Sequence, residues 1–426
     1  MTIGAVAEPL VIVSLLVGGM LVNRDRSYIT SRSTSSTSVR PHPWQDIEYA
    51  LSGDLSLPAG DDEREPKPWA GESRSSSTST IWQGCNSEDD PKLGPRSPWR
   101  QRPLRFFGQE HTVTTPNTEP YKDYFLSWVL RRYPFLVEVW YWALIYWVYQ
   151  LGRAFTAVTL QVSTVDTARE HALQVVDLEK RLGIFVELDV QRWFLTYPLL
   201  MRWTNRVYSF IHIPGTILFL IVLYYCTTAR PRRKLCEESI SPPKSWRALV
   251  APFGPDLFEK RRRTMAMCNM LAFIVFTFWP CMPPRLLSAE GYDGDFADRA
   301  KSYGFVDTVH GVDGDSSVWT TNKFCNQYAA MPSLHFGYSF LIGLTIARIP
   351  LRKRGWMGWR RLAVIGLGMI YPTVILAAIV ATANHFILDA VAGAIACALA
   401  WRLNDGLLNL LPLEDYFLSV VRIHKP

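Results

Sequence analysis

Two short stretches combine ionisable side chains with the start of apolar runs. YAAMPSLHFGY, at 328–338, carries Ser333 and His335, and ANHFILDAVAGA, at 383–394, carries His385 and Asp389. The four-residue spacing predicts His385 and Asp389 on one face of a helix, about one turn apart. A carboxylate so placed can hydrogen-bond one ring nitrogen and leave the other free. Such a set suits displacement at phosphorus. A neutral imidazole attacks in line and forms a phosphohistidine, and a second, protonated histidine donates to the leaving oxygen. The carboxylate fixes the tautomer of the nucleophile and stabilises its charge after attack. An arginine can grip phosphate oxygens through its planar fork, and Arg285 is expected on the same membrane face as the two histidines. Ser333 and the backbone N–H groups after Pro332 add anion-binding capacity.

Plainer readings stand beside this one. Pro332 and Ser333 also suit an ordinary helix start, with Pro near N1 and Ser at the cap. Gly337, Gly343 and Gly393 suit close packing between helices. Two histidines and an aspartate could hold zinc. A transporter or scaffold could carry the same fold without catalysis. The joint pattern favours chemistry, because ionisable residues within membrane segments are costly and tend to be functional. The chemistry read here needs no cofactor and no metal.

The elements that must position these residues lie in an uneven chain of 426 residues. Residues 23–120 are rich in Ser, Thr, Pro, Gly and charge, whereas 135–411 hold long apolar stretches packed with Trp, Tyr, Phe and Leu. Several approach the roughly 20 residues that cross a bilayer. The net charge of +7 does not point to nucleic acid, because the basic residues cluster beside apolar runs. There they set topology and meet anionic headgroups. The seven cysteines include no CxxC pair. Cys281 and Cys325 flank one polar loop, and whether they pair is left open by the sequence.

Segment 1–22 reads as a signal anchor or a membrane-associated segment, and 23–130 as a largely disordered polar tail. Six spans are expected within 131–411, at about 135–158, 207–228, 264–282, 336–349, 362–382 and 386–403. Residues 161–203 read as amphipathic helix, lying on the bilayer or against the bundle. A tail, 412–426, follows, with an interfacial helix beginning just before it. The loops at 230–263 and 350–361 are basic and predict a cytoplasmic side. The acidic loop 289–327 then faces the other way, and span counting puts Arg285, His335 and His385 on that non-cytoplasmic face. The expected fold is therefore all-α, a polytopic six-helix membrane bundle behind a disordered tail.

PSLH followed by HxxxD resembles the second and third motifs of the type 2 phosphatidic acid phosphatase (PAP2) superfamily. AAMPSLHFGYS and NHFILDAVAGA are more similar to its inositolphosphotransferase branch, which includes inositol phosphorylceramide synthases, than to the soluble acid phosphatases. The resemblance covers about residues 135–405. It implies a six-helix core, His335 as general acid, and His385 as nucleophile oriented by Asp389. It implies a lipid phosphate or phosphatidylinositol-type substrate and an endomembrane, such as Golgi or ER, with the site on the lumenal face. The family's third motif begins Ser-Arg, and Ile379 stands at that arginine's place. Its first motif, a lysine followed after six residues by Arg-Pro, is absent before the outer loop. PPRLL at 283–287 stands where it would end, which makes Arg285 the phosphate-binding candidate, with Lys323 and Asn326 behind it.

Overall fold

The computed structural model describes residues 3–25, 97–106, 108–159, 162–230, 254–288, 296–309, 327–349, 351 and 358–425. The fold is mostly helical. In chain order the principal helices are α1 (Ile3–Val22), α2 (Phe125–Arg132), α3 (Phe135–Thr159), α4 (Val162–Leu182) and α5 (Glu187–Leu195). Then come α6 (Pro198–Ala229, with two π-helical stretches), α7 (Pro255–Phe278), α8 (Leu334–Ala347), α9 (Trp359–Ala381), α10 (Ile387–Leu403) and α11 (Leu411–Val420).

Three helical stretches are long and apolar enough to cross a membrane: Pro198–Ala229, Trp359–Ala381 and Ile387–Val420. The chain is thus an integral membrane protein by length and composition of its helices. The six-span expectation meets these three directly. Helix α8 is apolar but has only 14 residues. Helix α7 has 24 residues, but Asp256, Glu259 and the run Lys260–Arg263 occupy its first turns. That run was expected in a loop. Within the helix, Arg261, Arg262 and Arg263 are all buried. Each meets a partner: Arg262 Nη1 donates to Glu138 Oε2 at 2.6 Å and Arg263 Nη2 to Asp405 Oδ1 at 2.9 Å. The Arg261 guanidinium lies 3.4 Å from the centroid of the Trp401 ring. Leaving one member of the buried Arg262–Glu138 pair alone costs about 3–5 kcal/mol.

Helices α7, α8, α9 and α10 form the packed centre. Glycine lets their backbones meet. A Cβ on Gly393 of α10 would lie 2.3 Å from the Ser333 carbonyl oxygen at the start of α8. One on Gly343 would lie 2.7 Å from the Gly368 carbonyl oxygen of α9. The close-packing reading of these glycines holds. Near the C-terminal end of α7, a second core gathers Ala172 and Val176 of α4 with Met282, Leu287, Phe305, Ala383 and Phe386. Of the two placements expected for 161–203, α4 takes the one against the bundle.

Part of the presumed tail is folded. Trp99–Phe106 (β1) and Gln109–Pro116 (β2) pair as an antiparallel hairpin, from Trp99 opposite Pro116 to Phe106 opposite Gln109. The hairpin is held from far along the chain. Arg102 makes a two-point bond to Asp415, at 2.8 and 3.0 Å, and Thr115 Oγ1 donates to the same carboxylate at 2.8 Å. Thr118 meets His424 at 3.0 Å, and the His424 N–H donates to Ser127 Oγ at 2.8 Å. Composition alone reads 97–130 as tail because its partners sit about 300 residues away. Residues 26–96 lie outside the described residues.

Candidate active site

The two sequence motifs meet at one end of the bundle, where α8 and α10 begin. Cys281, just past α7, forms a short bridge with Ala329: its N–H donates to the Tyr328 carbonyl at 2.8 Å, and the Ala330 N–H donates to the Cys281 carbonyl at 3.1 Å. That bridge fixes the Ala330 carbonyl, which lies 2.8 Å from His385 Nδ1. A carbonyl only accepts, so Nδ1 carries the proton and Nε2 of the neutral ring keeps its lone pair.

Asp389 Oδ2 is 3.5 Å from the same Nδ1. The expected pair is therefore close, but the shorter contact goes to backbone. His385 also lies outside α10, which begins at Ile387. Asp389 is fully buried, and its Oδ2 accepts from the Phe386 N–H at 2.9 Å. Its backbone carbonyl accepts from the Ser333 N–H at 2.9 Å, which joins the second motif to the third.

His335 stands in the first turn of α8, its ring centroid 5.6 Å from that of His385. Tyr208 of α6 stacks on it at 4.6 Å and His212 lies tilted at 5.1 Å. His212 Nδ1 is in turn 2.9 Å from the Tyr371 hydroxyl. Ser333 is fully buried and acts as N-cap: its Oγ accepts from the Phe336 N–H at 3.3 Å. Its carbonyl also accepts from the Gly337 N–H. The structure thus engages Ser333 in starting the helix, the plainer of its two sequence readings.

Arg285, in the helical turn Pro284–Leu287, is buried. Its Nε donates to Asn384 Oδ1 at 2.9 Å and its Nη1 to Asp307 Oδ2 at 2.7 Å. Its backbone N–H donates to the Ala383 carbonyl at 2.8 Å. Ala383 has φ of 50°, in the left-handed region that a Cβ disfavours. Asn384 ties Arg285 to the residue next to His385, so the guanidinium belongs to the same end. Lys323 and Asn326 lie outside the described residues. Cys281 is a free thiol, and Cys325 lies outside the described residues. Among the described residues no three His, Cys, Asp or Glu side chains converge as a metal-binding group.

Sequence reasoning missed Asn384, Asp307, Tyr208 and His212, and with them Glu179 and Glu187. Asn384 adjoins His385 and was within reach. The others come from 161–230 or the outer loop, where nothing in the local pattern marks a polar residue as facing inward.

A family model described as PAP2 superfamily matches residues 173–237 and 246–403, just over half of the chain. The chain belongs to the PAP2 superfamily. A search of curated proteins and one of solved structures each gave no match. For a PAP2 protein, phosphatase- or phosphotransferase-type chemistry on lipids is the family's function. The match spans the second half of α4 and all of α5 to α10, and thus every PAP2-type residue discussed above. The place of the family's third-motif arginine is held by Ile379, fully buried against Ile375, Val380 and Ala390. That environment is apolar, so this PAP2 site has no vacancy there for a charge.

Proposed function

We propose that this PAP2 protein transfers or hydrolyses a phosphoryl group on a membrane lipid through a phosphohistidine on His385. The observation that carries the reading is the 2.8 Å contact between His385 Nδ1 and the Ala330 carbonyl, with His335 alongside. It supports a neutral imidazole with Nε2 available for in-line attack. Nε2 forms the bond to phosphorus as the bond to the leaving oxygen breaks. His335, protonated, gives its proton to that oxygen. Water or an alcohol then attacks phosphorus, its proton passes to His335, and the P–N bond breaks. Asp389 balances the positive charge on the substituted ring. Arg285 binds non-bridging phosphate oxygens once Asp307 yields.

The motif residues favour the inositolphosphotransferase branch, with phosphoinositol passed to a ceramide-like lipid. The six-span bundle within 131–411 remains the proposed architecture, with α3, α7 and α8 completing the three apolar spans. The layer of Arg261, Arg262 and Arg263 at the other end of α7 supports a cytoplasmic placement for that end. The catalytic end then faces the lumen of an endomembrane such as Golgi or ER. Segment 1–22, seen as α1, remains a candidate anchor.

The test is an assay of purified full-length protein on phosphatidylinositol labelled at phosphorus, with and without ceramide, and on labelled phosphatidic acid. Label in an inositol phosphorylceramide supports the transferase form. Free phosphate from phosphatidic acid supports the phosphatase form. No turnover of either, by folded protein, returns the transporter or scaffold reading.

A further inference from the structure

The first turn of α10 carries an unusual set of caps. Three consecutive backbone N–H groups are held by three carboxylates from three different helices. Phe386 donates to Asp389 Oδ2 at 2.9 Å, Ile387 to Glu187 Oε1 at 2.9 Å, and Leu388 to Glu179 Oε1 at 2.8 Å. Glu179 and Glu187 are both fully buried. Only a short break separates the two helices that carry them, α4 and α5, and in it Gly183 has a φ of 69° that suits a residue without Cβ.

We propose that Glu179 and Glu187 are positioning residues for His385: by capping the turn that follows it they fix its ring against the Ala330 carbonyl. The inference rests on His385 being the nucleophile. A helix N-terminus is otherwise a ready anion site. Here it is filled by the protein's own carboxylates, so substrate phosphate is left to Arg285. Capping from α4 and α5 also ties the turn to the core instead of to its own helix alone. A shift of about 1 Å at a reacting atom costs on the order of 10²-fold in rate.

On this proposal Glu179 carries a proton that faces Glu187. Glu179 Oε2 and Glu187 Oε2 are buried and have no separate hydrogen-bond donor. A carboxyl on one that donates to the other satisfies both. Burial, then the hydrogen bond and charge of Glu187, push the Glu179 carboxyl up to about 9. The other groups facing it are Asp389 of α10 and the Cys281 thiol. Loss of the shared proton would put two negative charges against Asp389 and loosen the turn.

The experiment compares full-length wild type with Glu179→Ala, Glu187→Ala and Glu179→Gln. Glutamine keeps an acceptor for the Leu388 N–H and a donor for Glu187. Two readouts are used: turnover of labelled phosphatidylinositol and phosphatidic acid across pH, and the rate at which diethylpyrocarbonate modifies His385, followed by mass spectrometry. The alanine variants should lose about 10²-fold in kcat with KM nearly unchanged, and His385 should react at an altered rate. Glu179→Gln should restore most of kcat and lack the alkaline fall in rate that the proposal expects of wild type. Folded alanine variants with wild-type kcat and wild-type His385 reactivity overturn the proposal. Should alanine prevent folding, an alkaline limb unchanged in Glu179→Gln overturns it. Should wild type turn over neither lipid, the nucleophile assignment fails separately, and His385 reactivity alone decides the positioning claim.

Discussion

His385 Nδ1 faces the carbonyl of Ala330 at 2.8 Å, closer than the 3.5 Å that separates it from Asp389 Oδ2. Two groups therefore share one ring nitrogen, and they do different work. The carbonyl sets the tautomer. On the proposed mechanism the carboxylate, tied by the Phe386 N–H, supplies charge when the ring becomes cationic.

This division predicts the behaviour of Asp389→Asn. The amide oxygen still accepts from the Phe386 N–H, and the Ala330 carbonyl still holds the ring, so the fold and the tautomer persist. The negative charge is gone. Turnover should fall by about 10²- to 10⁴-fold with little change in KM. Steady-state kinetics with a thermal melt checks this, and a melt near wild type alongside near-wild-type kcat would contradict it.

Arg285 and Asp307 make a second prediction. Their 2.7 Å contact occupies the guanidinium that substrate phosphate would need. Asp307→Asn weakens that contact and should lower KM by a few-fold, about the value of one charge-assisted hydrogen bond. Arg285→Lys loses the fork and its bonds to Asn384 and Asp307, and should raise KM by at least about 10-fold. Initial rates against lipid concentration in mixed micelles measure both.

The Glu179–Glu187 pair predicts a pH dependence of stability. The Glu179 carboxyl rises from an ordinary 4.5 to about 9 in the folded chain. A raised value means that folding favours the protonated form. Its contribution is full below about 4.5 and is lost as pH rises toward 9. Melting temperature should therefore fall from pH 5.5 to pH 9 more steeply in wild type than in Glu179→Gln. Melts of the two proteins in one detergent, compared at each pH, give the difference; parallel curves would contradict the assignment.

Much of the site was legible because its chemistry is compressed into short motifs. His335 and His385 are separated by 50 residues yet meet, since one lies in the first turn of α8 and the other just before α10, and the two helices pack together through Gly337 and Gly393. Asp389 was legible from a four-residue spacing. Glu179 and Glu187 were not. They stand in DLEKRLGIFVELDV, where acidic residues look like the wet side of a surface helix, and only tertiary contact with α10 shows that they are dry. Ser333 caps a helix through its hydroxyl oxygen, and the O–H it can still donate leaves the proposed phosphate contact open. The hairpin at 99–116 was missed because its stabilising partners, Asn409 and Asp415, come from the other end of the chain. The arginine run at 260–263 was placed in a loop because charge there outweighs the helical pattern, while Glu138, Asp405 and Trp401 supply what buries it.

The central claim is a covalent bond between His385 Nε2 and phosphorus. Rapid acid-free quenching of wild type with phosphorus-labelled phosphatidylinositol or phosphatidic acid, followed by peptide mapping, measures it directly. The account predicts acid-labile, alkali-stable label on the peptide bearing His385, absent in His385→Ala together with turnover. Label on another residue, or turnover that survives in folded His385→Ala, would contradict it.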